Sequence, residues 1–284
     1  MRTERDTLGT NELPEDAWHG IHTARALGNF GAGGRAVRPE LIRAFVFVKK
    51  ACVLTHRETG GLPADVAEAL AAACDEVLAG RHPDAFPVAA LQGGADTSTN
   101  MNVNEVLANL AIVRLGGKPG DYARVQPLDH VNRGQSTNDV YPTALRIAAI
   151  FLVRELADTL AKLQESLQQR EQEFADIQKL GRTQLMDAAP ITLGQEFGAW
   201  AQAIARDRWR IYKVEERLRQ VNLGGTAVGT GAAADKRYAF RVIEILRDLT
   251  GLGLARAEYP MDLTQNQDVF VEVSGILKAC ASSL

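Results

Sequence analysis

Three short segments of this chain concentrate the side chains that chemistry could use. The first is Gly93-Gly94-Ala95-Asp96-Thr97-Ser98-Thr99-Asn100-Met101-Asn102. The second is Gly134-Gln135-Ser136-Thr137-Asn138-Asp139, and the third is Gly181-Arg182-Thr183-Gln184. None contains a metal-ligand set, a Cys/His pair or a His beside a Ser. What they offer is neutral hydrogen-bond donors in number. A hydrogen bond to a charged group contributes about 1.5–3 kcal/mol, so a substrate with two carboxylates would use several of these donors at once. The same residue types are the preferred helix caps, and three independent capped loops would read alike. His19, His22, His56, His82 and His130 are scattered, which fits structural or solvated roles better than catalysis.

The elements that must position these segments are helices. The second cluster runs through Val140-Tyr141-Pro142 into the longest amphipathic pattern, Leu145, Ala149, Leu152, Leu156, Leu160, Leu163 and Leu167. Steps of three and four mark one buried helical stripe. Carried on to Phe174 and Ile177, the helix would span about 36 residues, roughly 54 Å at 1.5 Å per residue. Pro142 fits its first turn. Ser136, Thr137 and Asn138 then sit at a helix N-terminus, where free N–H groups and the dipole favour an anion.

Further helices are expected from Pro39, with Ile42, Phe45, Val48, Cys52 and Leu54 inward, and from Pro63 through Val77 to Gly80. Another runs from Val103 to Gly116-Gly117. Thr192-Leu193-Gly194-Gln195 has the capping-box form and opens a helix to about Val221. Shorter ones cover about 236–249 and the stripe Val269, Val273, Ile276, Cys280.

Residues 1–38 read as irregular. Within them Gly31-Ala32-Gly33-Gly34-Arg35-Ala36 matches the dinucleotide fingerprint in form, but no apolar strand precedes it, so a flexible loop is expected. Gly224–Gly231 carries no Gly-Lys-Ser/Thr and is not a phosphate-binding loop. Strand signals are scarce. The fold class is mainly α: a small helical N-terminal domain over 1–139, then part of a long-helix bundle over 140–284. The last stripe is still running at Leu284 with no stop signal, so truncation is expected.

Composition excludes several classes. Apolar residues make up 46% and charged residues 24%, as in ordinary globular proteins. A net charge of −3 gives no electrostatic case for nucleic acid or an anionic membrane surface. The charged start Met1-Arg2-Thr3-Glu4-Arg5-Asp6 is not a signal peptide, and no run reaches the length of a membrane span. Cys52, Cys74 and Cys280, odd in number and far apart, fit reduced thiols in a cytoplasmic protein and no zinc site.

Taken together, Thr97-Ser98-Thr99-Asn100-Met101-Asn102-Val103-Asn104-Glu105-Val106, Gln135-Ser136-Thr137-Asn138-Asp139, Gly181-Arg182-Thr183-Gln184, Leu193-Gly194-Gln195-Glu196-Phe197 and Gly225-Thr226-Ala227-Val228-Gly229-Thr230-Gly231 resemble the aspartase/fumarase superfamily in order and spacing. The resemblance covers nearly the whole chain but only about the first three-fifths of a family protein. It implies a homotetramer on a long-helix bundle, with each active site built by three subunits, and a reversible β-elimination releasing fumarate. A serine alkoxide would take the proton, and hydrogen bonds would hold the resulting aci-carboxylate. Carried over, Thr97, Ser136 and Thr137 would hold the β-carboxylate. Thr183 would reach the α-carboxylate, and Asn138 and Gln184 would lie near the leaving group. No redox or organic cofactor and no metal is implied.

Gln184 stands where fumarases have His, and Gln126-Pro127-Leu128-Asp129 replaces the His-Pro-Asn-Asp run of their secondary anion site. Both favour elimination of ammonia from L-aspartate over the alternative, class II fumarate hydratase chemistry. Two departures matter. Asp96 stands where the family usually has Gly, beside Thr97, and an ionised Asp there would repel a dianion. The catalytic Ser, with its following Lys and Asn, is expected beyond Leu284, so the 284-residue chain by itself is expected to be inactive. A non-catalytic helical module, as the lens crystallins of the superfamily are, is the other alternative.

Overall fold

The computed structural model describes residues 1–30, 34–92 and 94–284. Gly31, Ala32 and Gly33 of the expected flexible loop, and Gly93 of the first cluster, lie outside the described residues. The chain divides into two compact units, 1–148 with 219–266 and 149–218 with 267–284.

In the first unit, residues 1–38 are not irregular as expected. Strands β1 (Arg2–Asp6) and β2 (Gly9–Leu13) pair as an antiparallel hairpin, followed by helix α1 (Ile21–Phe30). The strand pattern is faint because the hairpin is mostly polar and is anchored by charge. Arg25 clamps Asp6 through two hydrogen bonds of 2.6 and 2.8 Å. The Arg2 guanidinium donates to three loop carbonyls between Pro14 and Ala17 and to that of His19. Helix α2 (Pro39–Thr59) follows, opened by Pro39 in its first turn and closed by Gly60 at φ 74°, whose N–H returns to the His56 carbonyl. Helix α3 (Ala64–Leu78) lies against it.

Helix α4 (Thr97–Arg114) starts six residues before the apolar run that announced it. It is buried on nearly every face, polar residues included, so no amphipathic stripe marks its first turns. Asn102 donates to the Ala85 carbonyl at 3.0 Å, and Asn109 to that of Trp18 at 2.8 Å. The Glu105 carboxylate accepts from the N–H groups of Gly20, His22 and Thr23, which holds the start of α1.

Helix α5 (Thr137–Glu173) opens at Thr137, not at Pro142. Pro142 lies inside it and cannot donate to the carbonyl four residues back, Asn138. The Asn222 amide fills that place at 3.0 Å, which is why the proline is tolerated. Helix α7 (Lys236–Thr250) is capped by Asp235 and packs on α2. A short parallel pair, β5 (Gln220–Val221) with β6 (Ala255–Arg256), and helix α8 (Pro260–Gln265) complete the unit. Residues 219–266 therefore belong with the first unit, and a division at 139/140 does not match this packing. The reason lies in α7: the ring of its Tyr238 stacks on His56 of α2 at 4.4 Å, and its hydroxyl reaches Cys52 Sγ at 3.1 Å.

The second unit holds the rest of α5, helix α6 (Leu193–Leu218) and helix α9 (Asp268–Ser283), with α6 and α9 in contact. Arg154 of α5 pairs with Glu215 of α6 through two 2.8 Å bonds. The capping box appears as expected: Thr192 N–H to Gln195 at 3.0 Å and Gln195 N–H to Thr192 at 3.1 Å. The segment from Gly181 is not a loop between helices. Strands β3 (Gln178–Thr183) and β4 (Met186–Thr192) form a hairpin with a two-residue turn, Gln184 and Leu185. Both turn residues have positive φ, 46° and 64°, the pattern of a type I′ turn. Neither is Gly or Asn, so the usual sequence signal is missing. Among the described residues no helix is long and apolar enough to cross a membrane.

Candidate active site

The first two polar clusters meet in the first unit. Thr97 begins α4 and Thr137 begins α5, and the Asn100 amide links the helices by donating to Thr137 Oγ1 at 3.1 Å. A cavity of about 570 Å³ opens there, lined by Thr97, Asn100, Asn132, Gln135, Ser136 and Thr137, with Thr226, Ala227 and Val228 also in its wall. Sequence-expected donors Thr97, Ser136 and Thr137 thus share one cavity. The N-termini of two helices face it, so backbone N–H groups and hydroxyls together favour an anion.

Capping and binding coexist in Ser136. Its Oγ accepts from the Asn138 N–H at 3.2 Å, and its own N–H donates to Asp139 Oδ1 at 2.9 Å. As an acceptor in the cap, the hydroxyl keeps its proton for another partner. Asn138 is exposed and turns aside, its amide bound to the Ala227 carbonyl at 2.7 Å. Asp139 is buried and fastens the loop after β5 to the start of α5, accepting from Gly224 N and Thr226 N at 3.0 Å each. Burial pushes its carboxyl up to about 6, against the pull of these N–H groups and of Lys49. Gly224, at φ 87°, lies against α7, where a Cβ would meet Ala239 Cα at 2.9 Å.

Thr183 and Gln184 lie elsewhere, exposed at the tip of the β3–β4 hairpin in the second unit. Asp96, the unexpected neighbour of Thr97, sits in the left-handed region at φ 63°, a conformation Asp tolerates better than most residues. Burial raises its carboxyl, and the Tyr141 hydroxyl bonded to it pulls the other way.

Sequence reasoning missed the layer beneath the hydroxyls. Asn132 Oδ1 accepts from Lys49 Nζ at 2.9 Å, Asn100 Nδ2 at 3.2 Å and Asn104 Nδ2 at 3.3 Å. Lys49 also donates to Gln135 Oε1 at 2.9 Å. Lys49 has no exposed surface, and burial pulls its ammonium down to about 7. One signal was available: position 49 is four after Phe45 and three before Cys52, on the inward stripe of α2. His56 stacks on Tyr238 and bonds the Arg133 carbonyl at 2.8 Å, and His82 pairs with Glu76.

A helical chain that sets two helix N-termini and a file of hydroxyls and amides around one cavity offers donors to an anion. A family model described as lyase matches residues 9–284, and the chain belongs to that family, within the aspartase/fumarase superfamily. It is 45% identical over 280 residues to an aspartate ammonia-lyase of Bacillus sp., covering 99% of this chain and 60% of that one. A class II fumarate hydratase of Ralstonia nicotianae is 44% identical over 284 residues, covering 100% and 62%. A crystal structure of fumarate lyase:delta crystallin from Brucella melitensis bound to cobalt superposes with a TM-score of 0.96 at 43% identity, covering 99% of this chain and 62% of that one. The chain spans about 60% of the length of the curated relatives it matches.

Proposed function

We propose that the whole protein is an ammonia-lyase that converts L-aspartate reversibly to fumarate and ammonia. The observation that carries this reading is the convergence of Thr97, Ser136 and Thr137 on one cavity at two helix N-termini, bridged by Asn100. Proton loss next to the β-carboxylate turns that group into an aci-carboxylate dianion, and preorganised neutral donors stabilise such charge as it develops. The proton-abstracting serine is proposed to come from outside residues 1–284. Thr183, for the α-carboxylate, and Gln184 and Asn138, near the leaving group, complete the assignment. The exposure of the hairpin tip, with Leu185 98% exposed beside Gln184, supports its projecting into a site on another copy. The proposal includes composite sites in a cytoplasmic homotetramer, as the family resemblance implies.

Gln184 supports aspartate over malate, since an amide does not titrate where a histidine would. The fumarate hydratase relative keeps water addition as the second reading. The whole protein is expected to form fumarate, followed by its ultraviolet absorbance, from L-aspartate and far more slowly from L-malate. Faster turnover of malate would replace the first reading by the second.

A further inference from the structure

A lysine fully inside a helical core, with neutral amide oxygens as its hydrogen-bond acceptors, needs an explanation, because burying a charge is costly unless something compensates it. The groups facing Lys49 are Cys52 on its own helix, Cys74 on α3 and Asp139 on α5. Both thiols are held protonated by burial, pushed up to about 12. Asp139 is already bound by three backbone N–H groups. No direct Lys49–Asp139 ion pair forms among the described residues; Lys49 instead points at the two amides that line the cavity.

That direction fixes the polarity of a hydrogen-bond chain. With Asn132 Oδ1 turned toward the ammonium, Asn132 presents an acceptor to Asn100. The two protons of Asn100 Nδ2 then go to Asn132 Oδ1 and to Thr137 Oγ1. Thr137 Oγ1, being the acceptor in that bond, has its own proton left to donate. Flipping the Asn132 amide would set its NH2 against both Lys49 and Asn100, so the ammonium locks the rotamer. The charge itself lies one amide behind the cavity wall, in a medium where it is weakly screened.

We propose that Lys49 is a positioning residue of the dicarboxylate site: through Asn132 and Asn100 it aims the Thr137 hydroxyl into the cavity, and its buried ammonium is the counter-charge that a bound carboxylate draws on. The proposal rests on the reading of the cavity as a carboxylate site. Bound carboxylate favours the charged form of Lys49, so binding above neutrality takes up a proton.

The test uses succinate, a dicarboxylate with no leaving group, and the whole protein. Calorimetry at pH 8 in two buffers of different ionisation enthalpy is expected to show proton uptake by the wild type. Lys49→Met is expected to abolish that uptake, weaken succinate about tenfold or more, and lower kcat about 10–100-fold, the range that outer partners of metal ligands show. A Lys49→Met protein that is folded by circular dichroism and keeps wild-type succinate affinity and uptake overturns the proposal. Should that variant not fold, Asn132→Asp decides. An anion at that position pairs with Lys49 and keeps it charged before succinate binds, so unchanged proton uptake on binding would overturn the proposal equally. Lys49-dependent uptake in a protein that forms no fumarate from L-aspartate would refute the proposed reaction and support the role of Lys49.

Discussion

Replacing Lys49 by methionine should make the protein more stable while making it a worse catalyst. Methionine matches the length of the lysine stem and suits the apolar neighbours Phe45, Val48 and Cys52. The structure sets the magnitude. Burial brings the ammonium from 10.5 to about 7, which at about 1.4 kcal/mol per pH unit corresponds to about 5 kcal/mol against the charged form. The side chain is completely buried, so no solvent discount applies. Against this gain stand the two bonds Lys49 gives up. Asn132 Oδ1 keeps its two amide donors, but Gln135 Oε1 loses the ammonium, at about 1–3 kcal/mol for a group left unpaired. The net expectation is a gain of about 2–4 kcal/mol at pH 6, within the range found when buried charges are replaced by apolar groups.

The sign of the pH dependence follows from linkage. Between about 7 and 10.5 the unfolded chain holds a proton on Lys49 that the folded chain has released, so wild-type stability rises with pH through that window. The advantage of the Met variant is therefore largest below pH 7 and narrows by about 2 kcal/mol by pH 8.5. Urea unfolding of both proteins at pH 6 and pH 8.5 measures it, with Asp139→Asn added to both because Lys49 also pulls on the Asp139 carboxyl. A Met variant no more stable than wild type at pH 6, or a gap that does not narrow, would refute the reasoning.

Other expectations are simpler. Thr137→Ala, and likewise Ser136→Ala, should lower kcat about 10²–10³-fold in the whole protein, the usual effect of one lost oxyanion donor; wild-type turnover would remove that residue from the site. Asp96→Gly relieves a left-handed aspartate and removes a carboxylate beside Thr97, so KM for L-aspartate should fall about threefold to tenfold, as about 1 kcal/mol of repulsion implies. An unchanged or raised KM would mean that the bond with Tyr141 matters more than the charge. Gly229→Ala should destabilise by about 2–4 kcal/mol, read as a lowered Tm, because the new Cβ would overlap the backbone N and Cα of Met261.

What the sequence determined by itself was whatever depends on period and order. The 3–4 spacing in α2, α5, α6 and α9 gives one face to the core and the other to solvent, and that contrast is written in residue type. The capping box at Thr192 and Gln195 was equally legible, since both partners are three residues apart. Polar clustering marked the segments around Thr97 and Ser136-Thr137 as either caps or donors, and the family resemblance singled out Thr97, Ser136 and Thr137 as candidate binding groups.

Tertiary structure alone decided the rest. The start of α4 was hidden because Asn100, Asn102 and Asn104 are buried by partners far away in sequence, which no local pattern records. The hairpin carrying Thr183 and Gln184 was hidden because its turn uses Gln and Leu at positive φ. Residues 219–266 return to the first unit because Tyr238 stacks on His56, 182 positions earlier. Lys49, 83 residues from Asn132, became part of the site only once α2 was packed beneath it. A charge in an apolar stripe is a visible oddity in a sequence, but what compensates it is a matter of three-dimensional neighbours.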